Sequence, residues 1–146
     1  MEAVIFIGVQ GAGKTTFYRE RFFETHVRIS LDMLKTRERE RTLVTACLAS
    51  KQAFVIDNTN PTAEDRARYI LVAKAAGFRV AGYFFETSLR DAIQRNNERA
   101  GKSKIPAGAI GGTLKKLEKP QIEEGFDELH HVRIREGGGF EILTRS

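Results

Sequence analysis

Short apolar runs alternate along the chain with longer segments in which apolar residues recur at helical spacing. An unbroken apolar run that ends at glycine or at a polar residue is typical of a strand buried on both faces of a sheet. Such runs, together with the short segment 26–29, predict strands over 3–7, 26–29, 53–57, 78–85, 129–134 and 140–143. The intervening segments predict helices from Lys14 onward, over 33–51, up to Ala76, over 88–99 and around 110–117.

Local patterns refine three of these helices. The helix that ends near Ala76 has two candidate starts, either Asn60 as the cap or Thr62 as the cap with Asp65 in a capping box. Residues 37–41 alternate arginine with glutamate, so we expect this stretch to be self-neutralising and solvated. On the first helix, we expect the core-facing residues to be Phe17, Tyr18, Phe22 and Phe23.

The composition narrows the class of protein. With 41% hydrophobic and 29% charged residues in a chain of 146, we expect one soluble globular domain. Cys47, the only cysteine, excludes an intramolecular disulfide, and its apolar neighbours predict a buried side chain. No run approaches the roughly 18 apolar residues of a membrane helix, and Met1 does not begin a signal peptide, so we expect a cytoplasmic protein. The formal net charge of +5 fits either a mildly basic soluble protein or one that prefers polyanions.

The segment from Gly8 to Thr15 fits the G-x-x-x-x-G-K-T pattern of a P-loop, and it lies between a predicted strand and a predicted helix. Its glycines let successive backbone N–H groups converge on phosphate oxygens, and the helix adds the positive end of its dipole. Lys14 is expected to bridge the β- and γ-phosphates of ATP, and Thr15 to bind Mg²⁺. The predicted nucleotide-binding residues are Gly8, Gly11, Ala12, Gly13, Lys14, Thr15 and Thr16.

The order of elements predicts an α/β fold. Strands that alternate with helices favour right-handed crossovers and a parallel sheet covered on both faces. With the P-loop, this predicts a three-layer α/β/α P-loop NTPase with a mostly parallel central sheet, as a single domain over 1–146. Because ligands bind at the carboxyl ends of such strands, we expect Gly8, Asp32 and Asp57 on one rim.

The rim residues also indicate which reaction the P-loop serves. The N-K-x-D and D-x-x-G motifs of GTPases are absent, and the strand at 53–57 is followed by Asn58 rather than by a glutamate that would orient water. Transfer to an acceptor other than water is therefore favoured. A hydroxyl acceptor requires a carboxylate that takes its proton, and Asp32 is the best candidate. The alternative role for Asp32 is the N-cap of the helix that follows.

Basic residues cluster between positions 90 and 104. Arg95 and Arg99 are four residues apart, so they share one face of a helix. If that face closes over the triphosphate, it neutralises charge that develops during transfer, as an arginine finger does. We therefore predict a small helical lid over about 88–118, the alternative being an ordinary solvated helix.

Four segments resemble the 5′-kinase domain of polynucleotide kinases, within the adenylate-kinase-like P-loop phosphotransferases. They are GVQGAGKTT at 8–16, SLD at 30–32, DNTNP at 57–61 with RARYI at 66–70, and RNNER at 95–99.

The resemblance implies that the γ-phosphoryl group of ATP is transferred to a 5′-hydroxyl of DNA or RNA. It assigns Asp32 as the general base, Arg99 with Arg95 as the arginines of the lid, and Asp57 to the acceptor site. Lys35 stands where some members carry an arginine that grips acceptor phosphate, and lysine supplies the charge without the bidentate fork.

Two other functions stay open. One is a P-loop kinase for a small hydroxylated metabolite, and the other is a nucleotide-binding module with weak hydrolysis or none. The basic lid favours a nucleic acid 5′ end over a metabolite as the acceptor. Asp32 on the rim favours either kinase function over the nucleotide-binding module. The sequence leaves open the choice between DNA and RNA, the residues that contact adenine, and the oligomeric state.

Overall fold

The computed structural model describes residues 1–98 and 106–145. Within these residues, the strands are β1 (Glu2–Ile7), β2 (Val27–Ile29), β3 (Phe54–Ile56), β4 (Arg79–Phe85), β5 (Glu128–Ile134) and β6 (Phe140–Arg145). The α-helices are α1 (Lys14–Arg21), α2 (Leu31–Leu34), α3 (Arg37–Ser50), α4 (Ala63–Ala75), α5 (Leu89–Asn97) and α6 (Ala107–Lys116). A short 3₁₀ turn covers Ile122–Glu124. No helix in the described part of the chain is long and apolar enough to cross a membrane.

The six strands form one sheet in the order β2-β3-β1-β4-β5-β6. The first five strands are parallel, and β6 pairs with β5 in the antiparallel direction. β1 therefore lies at the centre, between β3 and β4, and its carboxyl end leads into the glycine-rich loop. The predicted α/β class with a mostly parallel sheet is confirmed.

Helices cover both faces of the sheet because alternate residues of each strand point to opposite sides. Ile5 of β1 belongs to a core that includes side chains from α3 and α4. Phe6 belongs to a second core with α1, α5 and α6. This second core is rich in aromatic rings, and Phe6 meets Phe85 edge-to-face with ring centroids 5.0 Å apart. The three layers are those predicted, and Cys47 is buried in the first core as expected.

The predicted helix over 33–51 is wrong as one element, because it is two helices. Lys35 has a φ of +75° after α2, and the side chain of Thr36 then caps α3 by accepting a hydrogen bond from Arg39 N. The expectation that residues 37–41 are a solvated stretch is also wrong at Glu40, which is only 3% exposed. Glu40 is buried because side chains far away in sequence supply its partners.

Two smaller differences have local causes. Phe23 is 69% exposed rather than buried, because α1 ends at Arg21 with Phe22 as its C-cap, so Phe23 lies beyond the helix. Of the two candidate starts for α4, the capping box of Thr62 with Asp65 is the one that forms. Asn60 has a φ of +45°, which is not the extended conformation of an N-cap, and its side chain donates instead to Phe6 O at 2.8 Å.

Candidate active site

The P-loop connects β1 to α1 and is held in close contact with its surroundings. Gly11 has a φ of +81°, and a Cβ at this position would lie 2.7 Å from the carbonyl oxygen of Ala92 in α5. Gly13 has a φ of +95°, and a Cβ there would lie 2.8 Å from Cδ1 of Ile134 in β5. The positive φ favours glycine at both positions, and at Gly11 the nearby backbone oxygen also leaves no room for a side chain. The loop is therefore packed against α5 on one side and against the end of β5 on the other.

Lys14, the first residue of α1, folds back over the loop. Its Nζ donates hydrogen bonds to Gly8 O at 2.9 Å and to Val9 O at 2.8 Å. These contacts keep the ammonium group above the loop, within reach of an anion bound by the loop's N–H groups.

A three-residue cluster lies beside the P-loop at the carboxyl ends of β2 and β3. Asp57 Oδ2 accepts hydrogen bonds from Arg28 Nε at 2.8 Å and from Thr15 Oγ1 at 3.2 Å. The Asp57 side chain is only 2% exposed, and the Arg28 guanidinium compensates its buried charge. The carboxylate that the resemblance assigned to the acceptor site thus contacts the predicted metal ligand Thr15.

One cleft of about 250 Å³ brings several of the predicted site residues together. Asp32, in the first turn of α2, is exposed and lines this cleft together with P-loop residues. Asp32 and Asp57 thus share one rim with P-loop residues, as expected, whereas Gly8, the loop residue named in that expectation, is buried and does not line the cleft. The residues that line this cleft are Gln10, Gly11, Lys14, Thr15, Arg28, Leu31, Asp32, Asp57, Asn58 and Thr59.

Other predicted site residues lie outside this cleft. Lys35 is exposed at the end of α2 and is not among the residues that line it. Arg95, on α5, lines a separate groove with Glu86 and Arg133. Arg99 lies outside the described residues. Of the remaining P-loop residues, Ala12 is buried in the core, and Thr16 is exposed in the first turn of α1.

The loop that follows β3 is fastened to the P-loop and to β1. Thr59 O accepts a hydrogen bond from Gly8 N at 3.0 Å, and Asn60 Nδ2 donates to Phe6 O. Behind the loop, Arg66 donates to Asn60 O at 3.0 Å and makes a two-point ion pair with Glu124, with N–O distances of 2.8 and 2.9 Å. Through Arg66, the RARYI segment therefore supports the loop over residues 57–61.

The sequence did not indicate Arg28 as a site residue. β2 has only three residues, and so short a strand does not reveal which side chains face the rim. Gln10 was also missed, although its Oε1 atom is buried and accepts no hydrogen bond within the described residues. A variable position inside a P-loop pattern carries no signal of this kind.

The chain is similar to known proteins at three levels. A family model described as AAA domain matches residues 4–120. The chain is 27% identical, over 138 residues, to a bifunctional polynucleotide phosphatase/kinase of Schizosaccharomyces pombe, covering 92% of this chain and 34% of that protein. A relative from Acanthamoeba polyphaga mimivirus, whose name also contains polynucleotide phosphatase/kinase, is 30% identical over 138 residues, covering 90% of this chain and 33% of that protein.

The chain thus spans about a third of the length of both relatives. Their names confirm the resemblance to polynucleotide kinases that the sequence motifs indicated. Among solved structures, a gluconokinase from Sinorhizobium meliloti 1021 superposes with a TM-score of 0.67 at 18% identity, covering 92% of this chain and 83% of that chain. At 18% identity, this similarity shows a shared fold and nothing more.

Proposed function

The chain belongs to the AAA domain family, and we propose that it is a P-loop kinase that transfers the γ-phosphoryl group of ATP to the 5′-hydroxyl of DNA or RNA. The observation that carries this proposal is the shared cleft, which Asp32 lines together with Lys14 and Thr15 of the P-loop. The names of the two relatives support the choice of acceptor.

ATP would be held by the Lys14 ammonium group and by backbone N–H groups of the predicted loop residues Gly11, Gly13, Lys14, Thr15 and Thr16. The N–H groups of Gly8 and Ala12, also predicted, already donate to Thr59 O and Val9 O. The residues present also fit a magnesium ion, because Thr15 Oγ1 and Asp57 Oδ2 are oxygen ligands 3.2 Å apart beside the loop. When bound, Mg²⁺ neutralises charge on the β- and γ-phosphate oxygens. We therefore propose that Asp57 serves the metal side of the site, next to Thr15, rather than the acceptor.

The proposed reaction is a direct transfer between two oxygens. The 5′-hydroxyl oxygen of the acceptor attacks the γ-phosphorus, and its proton passes to the Asp32 carboxylate. The bond between the γ-phosphorus and the oxygen that bridges it to the β-phosphate breaks, and ADP leaves. Lys14 stabilises charge on the phosphates during the transfer. Because Asp32 is exposed on the rim, an acceptor reaches it from solvent without a conformational change of the core.

The remaining predicted residues have proposed roles around this centre. Arg99, with Arg95, would supply positive charge from the lid, a segment that we place over about 88–118. Lys35 would bind a phosphate of the acceptor strand from the exposed end of α2. The net charge of +5 is consistent with a polyanionic acceptor.

The test is phosphoryl transfer from γ-labelled ATP with Mg²⁺. A 5′-hydroxyl DNA oligonucleotide and its RNA counterpart are the acceptors, and the same oligonucleotides with a 5′-phosphate are the controls. We expect label on at least one 5′-hydroxyl oligonucleotide and none on the controls. Folded, ATP-binding protein that labels neither oligonucleotide would refute the proposal, and transfer to gluconate instead would establish a kinase for a small hydroxylated metabolite.

A further inference from the structure

A connected group of polar side chains lies next to the cleft, between α3, α4 and the loop that follows β3, and one of its members, Asn58, lines the cleft. Glu40 is at its centre and is 3% exposed, and Tyr69 is 4% exposed. Glu40 Oε1 accepts hydrogen bonds from Tyr69 Oη at 2.8 Å and from Arg37 Nη1 at 2.9 Å. Glu40 Oε2 accepts from Asn58 Nδ2 at 2.8 Å. A buried carboxylate is tolerated only with such partners, so this group is a built arrangement.

The Glu40 carboxylate fixes the orientation of the Asn58 side-chain amide. A carboxylate only accepts hydrogen bonds, so the NH₂ group of Asn58 must face Glu40. The amide oxygen then faces the opposite way, and it accepts a hydrogen bond from Leu31 N at 2.9 Å. Leu31 is the first residue of α2, and Asp32 is the second.

The short helix α2 depends on this contact for its N-terminal cap. A helix of four residues is not stable by itself, because helix formation begins with an unfavourable nucleus. Ser30 occupies the N-cap position but makes no capping hydrogen bond, and its Oγ atom is buried without a partner within the described residues. The cap is supplied instead by Asn58, from a distant loop.

We propose that Glu40, acting through Asn58, is a positioning residue that holds α2 and thereby sets the place of the Asp32 carboxylate in the cleft. The catalytic consequence rests on the proposed kinase function, whereas the structural consequence does not. Tyr69 helps to hold Glu40 in place through its hydrogen bond to Oε1. Burial and the neighbouring Glu40 carboxylate raise the pKa of Tyr69 to about 12, so its hydroxyl remains a donor at neutral pH.

The decisive experiment exchanges the polarity of the Glu40–Asn58 contact. In Glu40→Gln, the one remaining oxygen stays with its two donors, Tyr69 and Arg37, so an NH₂ group replaces the oxygen that receives Asn58. The Asn58 amide then rotates and turns its own NH₂ group toward Leu31 N. In Asn58→Asp, two carboxylates face each other, and their repulsion moves the new side chain at position 58 out of hydrogen-bond distance of Leu31 N. The double variant E40Q/N58D restores a donor opposite an acceptor and again presents an oxygen to Leu31 N.

The first readout is hydrogen exchange of the Leu31 amide, measured by NMR, which does not depend on kinase activity. We expect exchange to be about tenfold faster in each single variant, as for a lost hydrogen bond, and close to wild type in the double variant. Glu38→Gln is the matched control, because it removes the same charge from an exposed position on α3. Unchanged Leu31 exchange in Glu40→Gln, or no recovery in the double variant, overturns the proposal.

The second readout is kinase activity. We expect each single variant to lower kcat about tenfold or more with little change in the KM for ATP, and the double variant to recover it. Tyr69→Phe removes a donor to Glu40, an acceptor of Arg37 Nη1 and a long 3.4 Å contact from Asn58 Nδ2. It leaves the 2.8 Å Asn58–Glu40 and the Asn58–Leu31 hydrogen bonds, so it should reduce thermal stability and keep kcat within about threefold of wild type. An equal loss of kcat in Tyr69→Phe and Glu40→Gln would assign the group a purely structural role. If the wild type transfers no phosphate, the proposed function fails, while the exchange data still decide the positioning role.

Discussion

Removal of the Arg66 side chain tests whether the ion pair behind the cleft stabilises the domain. Arg66 is completely buried, and Glu124 is 14% exposed. In Arg66→Met, the two Arg66–Glu124 contacts are lost and Asn60 O loses its donor. Removing one partner of a buried pair costs about 3–5 kcal/mol, because the other charge is left uncompensated. We expect a loss near 4 kcal/mol in the free energy of unfolding, a large part of the roughly 5–15 kcal/mol of a typical domain.

The measurement is urea unfolding followed by circular dichroism at neutral pH, with wild type, Arg66→Met, Glu124→Gln and the double variant. Each single variant leaves the other charge of the pair uncompensated, whereas the double variant leaves neither, so it should be less destabilised than the sum of the two single variants. We also expect weaker ATP binding in Arg66→Met, since Asn60 belongs to the loop that fastens Gly8. A loss below about 1 kcal/mol in Arg66→Met, or strict additivity in the cycle, would refute this account of the pair.

Four further outcomes are expected. Asp32→Asn should lower kcat by about 10² or more while the ATP affinity persists, as for a lost general base. Glu20→Gln, a change at an exposed position on α1, is the control. An unchanged kcat in Asp32→Asn would show that Asp32 takes no part in the reaction. Gly11→Ala should weaken ATP binding in calorimetry at least tenfold, because its Cβ would lie 2.7 Å from Ala92 O. Gly112→Ala should bind normally, because among the described residues a Cβ there meets no atom within 4 Å apart from its own helix backbone. The KM for an oligonucleotide should rise with salt more steeply than the KM for ATP, and equal slopes would argue for a small acceptor. Burial acts to raise the pKa of Glu86, but hydrogen bonds from His131 and Arg133 outweigh it and hold the pKa below its usual value of 4.5. The ionised Glu86 side chain therefore stabilises the fold above about pH 4.5, and this contribution is lost as the pH falls below that value. Glu86→Gln should flatten the acid limb of a curve of Tm against pH.

The rim of the site was predictable because it follows from general rules. A P-loop after a buried strand and a parallel sheet together place Lys14, Asp32 and Asp57 at the same edge, with no need to know any individual contact. The capping box of Thr62 was equally visible, since all of its partners lie within three residues.

The contacts that organise the rim were not predictable, because their partners are far apart in sequence. Glu40 lies in a stretch of alternating charge that locally resembles a solvated helix face. Its burial depends on Asn58 and Tyr69, which only the packing of α3 against α4 and β3 brings near. The break between α2 and α3 was hidden for a related reason, because the positive φ of Lys35 belongs to a residue type that usually continues a helix.

The central place of β1 in the sheet has a consequence for the order of folding. Ala3 pairs with Phe54 on one side and with Val80 on the other, so both ladders of the strand that carries the P-loop join distant parts of the chain. Such pairings form slowly, because the entropy of the intervening chain must be lost before the paired strands contribute favourable free energy. On a ribosome, β1 has to wait for β4 to emerge before it has both neighbours. The P-loop is therefore completed late in folding, and ATP binding during refolding would report that β1 has paired with both of its neighbours.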